Sequence, residues 1–403
     1  MPCPFCGLVC DDLTVREEHS TLTAIRGACA KARDCYRAAV PTGPNLSDGK
    51  AVSLDAAIGA AARVLKHSQQ PLFAGLGTDV AGVRATLALA ERCGAIVDHM
   101  HSRALNQGLR VLQATGWQTT TFSEVRNRAD LIVLVGVDLN RNFQNLIPRL
   151  LAPAEALHGE RRAARQIIYL GPRAAAPVEL CGLRCEVIPC SLADLPSALR
   201  TVQGVLNSLV GKINRALGTL ASALRGAHYP VLMWAPSQLD PSAGDLTIAA
   251  ACAVIATLNQ TQRAAGLALG GDDGGQTALA ACAWLTGFPL GISYAGAQLE
   301  YAPESLHAAR VLEAGGADSL LWISAFSRRA PPPSALPQIV LAPPGLEVRT
   351  RNTVYIPVGT PGLDHAGQLM RADAVVSLPL RQLRHSPLPA VASVLTALLS
   401  AVG

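Results

Sequence analysis

Three cysteines open the chain at C-x2-C-x3-C spacing, Cys3-Pro-Phe-Cys6-Gly-Leu-Val-Cys10, and a fourth follows in Gly27-Ala28-Cys29. Thiolates two and three residues apart on one tight loop can point at a common centre, and one from a later turn can close the cage. Cubane iron–sulfur clusters are held in this way, and zinc accepts similar spacing. A disulfide pair, or simply small buried thiols, are the competing readings in a chain with 11 Cys. Spacing therefore names Cys3, Cys6, Cys10 and Cys29 as candidate metal or cluster ligands. Cys35 falls outside the set, further round the following helix.

Other residues invite chemistry less strongly. Cys181, Cys185 and Cys190 look like a second metal set, but a strand over Cys185–Pro189 sends neighbouring side chains to opposite faces, so they read as core packing. His99 and His101 read as capping or surface residues. Two glycine-rich loops resemble phosphate cradles. Gly75-x-Gly77 lacks the third glycine at the proper place. In Gly270-Gly-Asp-Asp-Gly-Gly275 two carboxylates would repel a phosphate, so left-handed turns are the simpler reading of both.

The elements that must position these residues alternate. Ser53 caps a helix to about Leu65; Pro71–Gly77 is an apolar strand closed by glycine; a helix over Val80–Cys93, a strand over Gly94–Asp98 and a helix reaching Gly116 follow. Asp130–Gly136, Gln166–Leu170, Cys185–Pro189, Tyr229–Ala235, Ser319–Ile323 and Gln338–Leu341 read as further buried strands, with helices between. Such alternation gives doubly wound α/β layers. No internal repeat is evident.

Composition narrows the function. The 403 residues are 50% hydrophobic and 16% charged, which suits a large buried core in two or three domains. Net charge is +5 and the basic residues are scattered, only Lys31, Lys50, Lys66 and Lys212 being lysine, so no nucleic-acid footprint is present. The apolar stretches Leu246–Leu258 and Ala278–Ile292 are too short or too broken to span a bilayer. No secretory leader opens the sequence, and a cytoplasmic setting with free thiols is expected.

Several stretches, in order over nearly the whole chain, together resemble the B subunit of formylmethanofuran dehydrogenase, a relative of the molybdopterin- and tungstopterin-dependent formate dehydrogenases. They are the Cys-rich head with Ala28-Cys29; Gly116-Trp-Gln-Thr-Thr-Thr-Phe-Ser-Glu124 through Asp130-Leu-Ile-Val; Trp284-Leu-Thr-Gly287-Phe-Pro289; and Ile356-Pro-Val-Gly-Thr-Pro-Gly362 through Arg371-Ala-Asp373, then Leu378-Pro-Leu-Arg381. The resemblance implies two doubly wound, mostly parallel-sheet domains of the molybdopterin-oxidoreductase type behind a small Cys-bearing module over residues 1–49. The larger domain would take 50–136 and 228–403, and the inserted one 137–227. A C-terminal β-barrel is not expected.

One departure carries the functional reading. In the redox members a Cys or selenocysteine ligates the metal about a dozen residues before the Gly-aromatic turn matched by Gly116-Trp117, and that position is Ala104. Members without the ligand resemble the B subunit of the formyltransferase/hydrolase complex of methylotrophic bacteria. The resemblance then implies a non-redox, structural subunit of a complex that converts formyl-tetrahydromethanopterin to formate through a furan-type carrier. The implied partners are formyltransferase, amidohydrolase-type and accessory subunits; neither nucleic acid nor membrane is among them. No catalytic residue is assigned. Cofactor expectations are one [4Fe–4S] cluster or the vestige of its site, and no pterin-bound metal. The alternatives are a redox-active subunit carrying tungsto- or molybdopterin and an iron–sulfur electron-transfer module.

Overall fold

The computed structural model describes residues 1–19, 21–39, 42–140, 142–153, 157, 165–177, 180–209 and 214–403. The chain divides into two compact units. Unit 1 joins Met1–Ser102 to Gly271–Gly403, and unit 2 is Arg103–Gly270.

The first part of unit 1 carries β1 (Thr14–Glu18), β2 (Thr21–Arg26), α1 (Ala30–Arg37), β3 (Asn45–Ser47), β4 (Lys50–Val52), α2 (Leu54–His67), β5 (Pro71–Gly77), α3 (Val80–Cys93) and β6 (Ile96–Val97). Unit 2 follows with α4 (Ser102–Thr115), α5 (Phe122–Arg128), β7 (Leu131–Val135), β8 (Gln166–Gly171), β9 (Cys185–Pro189), α6 (Leu195–Leu206), α7 (Arg215–Gly226), β10 (Pro230–Trp234), α8 (Gly244–Leu258) and β11 (Ala265–Ala268). Unit 1 is completed by α9 (Gly275–Thr286), β12 (Ile292–Ser293), β13 (Glu300–Tyr301), α10 (Ala308–Glu313), β14 (Ser319–Ser324), β15 (Gln338–Ala342), β16 (Thr353–Pro357), β17 (Gly367–Met370), β18 (Ser377–Leu380) and α11 (Val391–Val402).

Unit 1 is built on a nine-stranded mixed sheet, ordered β13-β12-β6-β5-β14-β15-β16-β3-β4. Its five central strands, β6 to β16, run parallel, and antiparallel pairs flank them on both sides. Alternate side chains of the parallel strands bury on opposite faces. Leu72, Ala74, Leu320, Trp322, Val340 and Ala342 pack with Ala308 and Val311 of α10, while α2, α3, α9 and α11 pack together on the sheet's other side. Local signals set the helix starts: Ser53 and Asp79 accept backbone N–H groups of Ala56 and Gly82 at the N-termini of α2 and α3.

Unit 2 holds a five-stranded parallel sheet, β11-β10-β7-β8-β9. One face supplies Leu131, Val133, Val135, Ile168 and Leu170 to a core shared with α6, α7 and α8; Ile132, Leu134, Tyr169, Val231 and Met233 are buried as well. Buried Arg165 donates to the carbonyls of Val125, Arg126, Ala129, Leu150 and Leu151, pinning the end of α5 to the π-turn Ile147–Leu151.

The strands closed by Gly77, Gly136 and Gly171 are parallel, as their unbroken apolar runs require. Three expectations are corrected. The division falls at 102/103 and 270/271 rather than at 137 and 227, because β7 hydrogen-bonds β8 and β10 in one sheet. The cysteine head is part of unit 1, whose sheet takes in β3 and β4 from residues 45–52. The larger sheet is mixed, its edges closed by antiparallel strands of two or three residues. Among the described residues no helix is long and apolar enough to cross a membrane.

Packing in unit 2 gives a measurable expectation. Trp234 is buried and meets Trp117 edge-on, ring centroids 5.7 Å apart. Gly266 of β11 leaves it room: a Cβ there would stand 2.5 Å from the indole. The strand cannot retreat, since the Gly266 N–H donates to Gln118 at 2.8 Å and its carbonyl accepts from Thr120 at 3.0 Å. Gly266→Ala is therefore predicted to cost about 2 kcal/mol by overpacking. Urea unfolding followed by tryptophan fluorescence reads the loss, and an unchanged midpoint would show that the site has slack.

Candidate functional site

In open α/β sheets, ligands gather at the carboxyl ends of parallel strands. In unit 1 the ends of β5, β6 and β14 carry most of the reactive side chains. After β6 come Asp98, His99 and His101; after β14 comes Ser327; the loop Gly270–Gly275 delivers Asp272 and Asp273. That loop consists of left-handed turns, with φ of 85° at Gly271, 51° at Asp273 and 73° at Gly274. Two glycines are required by close approach. A Cβ on Gly271 would lie 2.9 Å from Gly7 Cα, and one on Gly274 would lie 2.7 Å from the Thr78 carbonyl.

Asp273 is the hub. Its carboxylate accepts from His101 Nε2 at 3.0 Å and from Ser327 Oγ at 2.7 Å, and Arg329 Nη2 stands 4.0 Å away. Burial alone would raise this carboxyl; the bonds from His101 and Ser327 and the charges of His101 and Arg329 outweigh it and hold the group well below the carboxylate range. His99 is fixed as one tautomer. Its Nδ1 accepts the His101 N–H at 3.0 Å, so Nε2 carries the proton and donates to the Asp273 carbonyl at 3.1 Å. Burial, helped by His101, lowers its pKa to about 4, so the ring is neutral at physiological pH. The expectation of capping or surface roles for His99 and His101 is thus corrected: His99 is buried and His101 is half-buried against Asp273. Asp98 is also buried, its Oδ2 accepting from Ser102 Oγ at 2.6 Å and from the Ala308 N–H at 2.8 Å. Burial drives this carboxyl up to about 7.

The cysteine head lies against the same loop. The Cys3 N–H donates to the Cys10 carbonyl at 2.7 Å, closing the hairpin, and Val9 N–H donates back to Cys6. Cys29 occupies the N-cap position of α1, and Lys31 in its first turn pairs with Asp272 at 2.9 Å. Cys3 is pushed far up by burial and then by the neighbouring Cys6, with Cys10 and Cys29 adding. Burial, then the charges of Cys10 and Asp272, takes Cys6 up to about 12, against the pull of Lys31. Cys6, Cys10 and Cys29 thus lie near enough to Cys3 for their charges to act on its thiol. Among the described residues, no three His, Cys, Asp or Glu side chains stand in metal-holding geometry. The donors suit an iron–sulfur cluster in kind and number. Loading one would strip protons from thiols that burial otherwise keeps neutral.

Position 104 lies in the first turn of α4 and offers a methyl group. Its nearest hydroxyl in sequence, Ser102, is spent on Asp98, and no cysteine occurs between Cys93 and Cys181. Position 104 and its neighbours in sequence therefore offer no soft donor of the kind a tungsten or molybdenum centre takes. Of the remaining trio, Cys181 is exposed and Cys185 and Cys190 half-buried, which corrects the core-packing expectation; Cys190 alone adjoins the unit 2 core.

Sequence reading missed the Asp273 hub, whose partners are 172 and 54 residues away. It also missed why the closing stretch is rich in Asp and Arg. Arg384 meets Asp364 at 2.7 Å with both side chains buried, and Arg371 grips Asp373 through two nitrogens.

No protein-family model matches the chain. The B subunit of the Methylorubrum extorquens formyltransferase/hydrolase complex Fhc is 30% identical over 327 residues, covering 80% of this chain and 86% of the relative. The B subunit of the tungsten-containing formylmethanofuran dehydrogenase 2 of Methanocaldococcus jannaschii is 26% identical over 397 residues, covering 93% and 91%. The crystal structure of the Methylorubrum extorquens formyltransferase/hydrolase complex with methylofuran contains a similar chain. The TM-score is 0.77 at 28% identity, covering 88% of this chain and 97% of that one.

Proposed function

The chain belongs to the family of B subunits shared by formylmethanofuran dehydrogenases and the formyltransferase/hydrolase complex, and from that membership we propose that it is a non-redox, structural subunit of such a complex. In this reading, partner subunits carry the chemistry: one moves the formyl group from formyl-tetrahydromethanopterin to a furan-type carrier, and an amidohydrolase-type subunit releases formate. The two α/β units are of the molybdopterin-oxidoreductase type, and the assembly works in the cytoplasm without nucleic acid or membrane.

The observation that carries the reading is Ala104. In the redox members that the chain resembles, the metal takes a thiolate or selenolate from the protein at this position, and a methyl group supplies no electron pair. The polar groups nearest in sequence cannot substitute without breaking their own bonds. Ser102 holds Asp98, His99 holds the Asp273 carbonyl, and His101 holds its carboxylate. Arg328, in the loop after β14, is engaged with the carbonyls of Pro344 and Ala38.

The C-x2-C-x3-C spacing of the head, with Cys29 after it, favours a second reading, an electron-transfer module. A [4Fe–4S] cluster on Cys3, Cys6, Cys10 and Cys29 would supply one-electron transfer. The chain's own contribution would be the closed hairpin, the buried surroundings and the nearby Lys31 cation.

The test is metal analysis and assay of protein purified anaerobically. Tungsten and molybdenum are expected far below stoichiometry, with no formate-dependent reduction of a viologen dye. Ala104→Cys alone should leave the protein inactive. Stoichiometric tungsten or molybdenum, or formate-driven dye reduction, would restore the dehydrogenase. Iron content and the absorption spectrum report separately on the head.

A further inference from the structure

Helix α9 ends at Thr286, where Gly287 closes it in the left-handed conformation at φ 81°. Its last turn sends two large apolar side chains into solvent: Trp284 is 63% exposed and Leu285 55%. Phe288, just past the cap, is 37% exposed. It lies flat on Tyr301, ring centroids 5.3 Å apart and planes within 11°. Tyr301 belongs to β13, the edge strand of the nine-stranded sheet. A tryptophan left mostly in water beside a leucine and a stacked aromatic pair is the kind of exposed cluster that marks an interaction site. Trp and Tyr at such sites dominate binding energy once a partner excludes water.

Charge indicates what that partner looks like. From residue 264 to residue 309 the sequence contains no Lys or Arg. Glu300, next to Tyr301, and Glu304, three residues past it, are both exposed. On a chain of net charge +5, the exposed charges that this segment itself places beside the apolar corner are acidic. A second copy meeting it across a two-fold axis would press the same patch, with its acidic Glu300 and Glu304, against itself, and like-charge juxtaposition disfavours that pairing.

We propose that the corner formed by Trp284, Leu285, Phe288 and Tyr301 docks a different polypeptide, one that offers an apolar pocket ringed by Arg or Lys. The proposal rests on the reading of the chain as part of a complex and names the surface through which one partner is held. The edge position of β13 lets the partner approach without displacing any strand.

Co-expression with the other subunits of its complex tests this, comparing wild type with Trp284→Ser and with Glu300→Lys combined with Glu304→Lys. Both variants should keep the wild-type circular dichroism spectrum and melting temperature, because these side chains are already exposed. Trp284→Ser is expected to weaken capture of one partner by about 30-fold or more. The charge reversal should weaken the same partner, most at low salt. Retention of every partner at wild-type affinity by both variants would overturn the docking surface. So would self-association of the isolated chain that Trp284→Ser abolishes. Failure of the wild type to hold any partner would remove the reading as part of a complex, and the docking assignment with it.

Discussion

Gly75→Ala is expected to destabilise unit 1 by about 4 kcal/mol, a large share of the roughly 5–15 kcal/mol that holds a typical domain together. Gly75 sits at φ 80°, and the next residue, Leu76, at φ 53°. The chain bends there because β5 shifts register against β14 between Trp322 and Ser324. A Cβ on Gly75 would stand 2.4 Å from the Ile323 carbonyl oxygen and 2.9 Å from its nitrogen. Those are backbone atoms of a strand locked on its other side by β15, so neither can yield. Left-handed backbone costs alanine about 1–2 kcal/mol, and overpacking adds about 1–3 kcal/mol. The control is Gly59→Ala in α2, where the new methyl meets nothing nearer than an Arg63 nitrogen at 3.8 Å. It should gain about 0.5–1 kcal/mol from helix propensity. Denaturant midpoints of the two variants should move in opposite directions; equal shifts would mean the bend in β5 is not demanded by its neighbour.

Asp98→Asn is expected to reverse sign with pH. The buried Asp98 carboxyl is raised to about 7, so between about pH 4 and 7 the folded state holds a proton that the unfolded chain releases. Its stabilisation is complete at low pH and declines as pH rises through that window. His99 runs the other way: lowered to about 4, it stays neutral in the fold while the unfolded ring protonates below about 6.5, so its contribution is lost as pH falls. The two slopes oppose one another over nearly the same interval, and the wild type should show a shallow pH profile there. The Asp98 shift corresponds to about 4 kcal/mol at pH 8. The asparagine gives part of this back, because its amide nitrogen would replace Oδ1, which has no partner among the described residues. Asp98→Asn should therefore be more stable than wild type at pH 8 by about 2 kcal/mol and less stable at pH 4.5 by about 1 kcal/mol. Unfolding curves at the two pH values decide it, and parallel profiles would show that Asp98 does not titrate in this window.

What the sequence revealed and what it hid follow from the range of the forces involved. Strands such as Leu131–Val135 were legible because burial on both faces demands an unbroken apolar run, and a glycine closes it. The cap at Ser53 is a contact three residues long. Two-residue strands such as Ile292–Ser293 have no period to read, so the mixed edges were invisible. The unit boundary was misplaced because Leu131 pairs with Pro230, a match set by tertiary packing. The candidate site behaved in the same way. Cysteine spacing exposes the head, since its hairpin is local. The polar hub was hidden because a histidine's neighbours in sequence say nothing about an aspartate 172 residues away.

The split composition of unit 1 bears on how the protein is made. β5 is hydrogen-bonded to β14, with Gly77 opposite Ser324, so its central neighbour leaves the ribosome about 250 residues later. At about 5–20 residues per second, that interval is roughly 10–50 s. Throughout it, the apolar strand Pro71–Gly77 lacks the partner that buries it, while the contiguous 103–270 segment completes all five strands of its own sheet by residue 268, before β14 is made. Nascent chains should therefore depend on chaperone cover until residue 324 emerges. Slower growth or lower temperature during expression should raise the soluble yield of the full chain more than that of the 103–270 segment expressed alone.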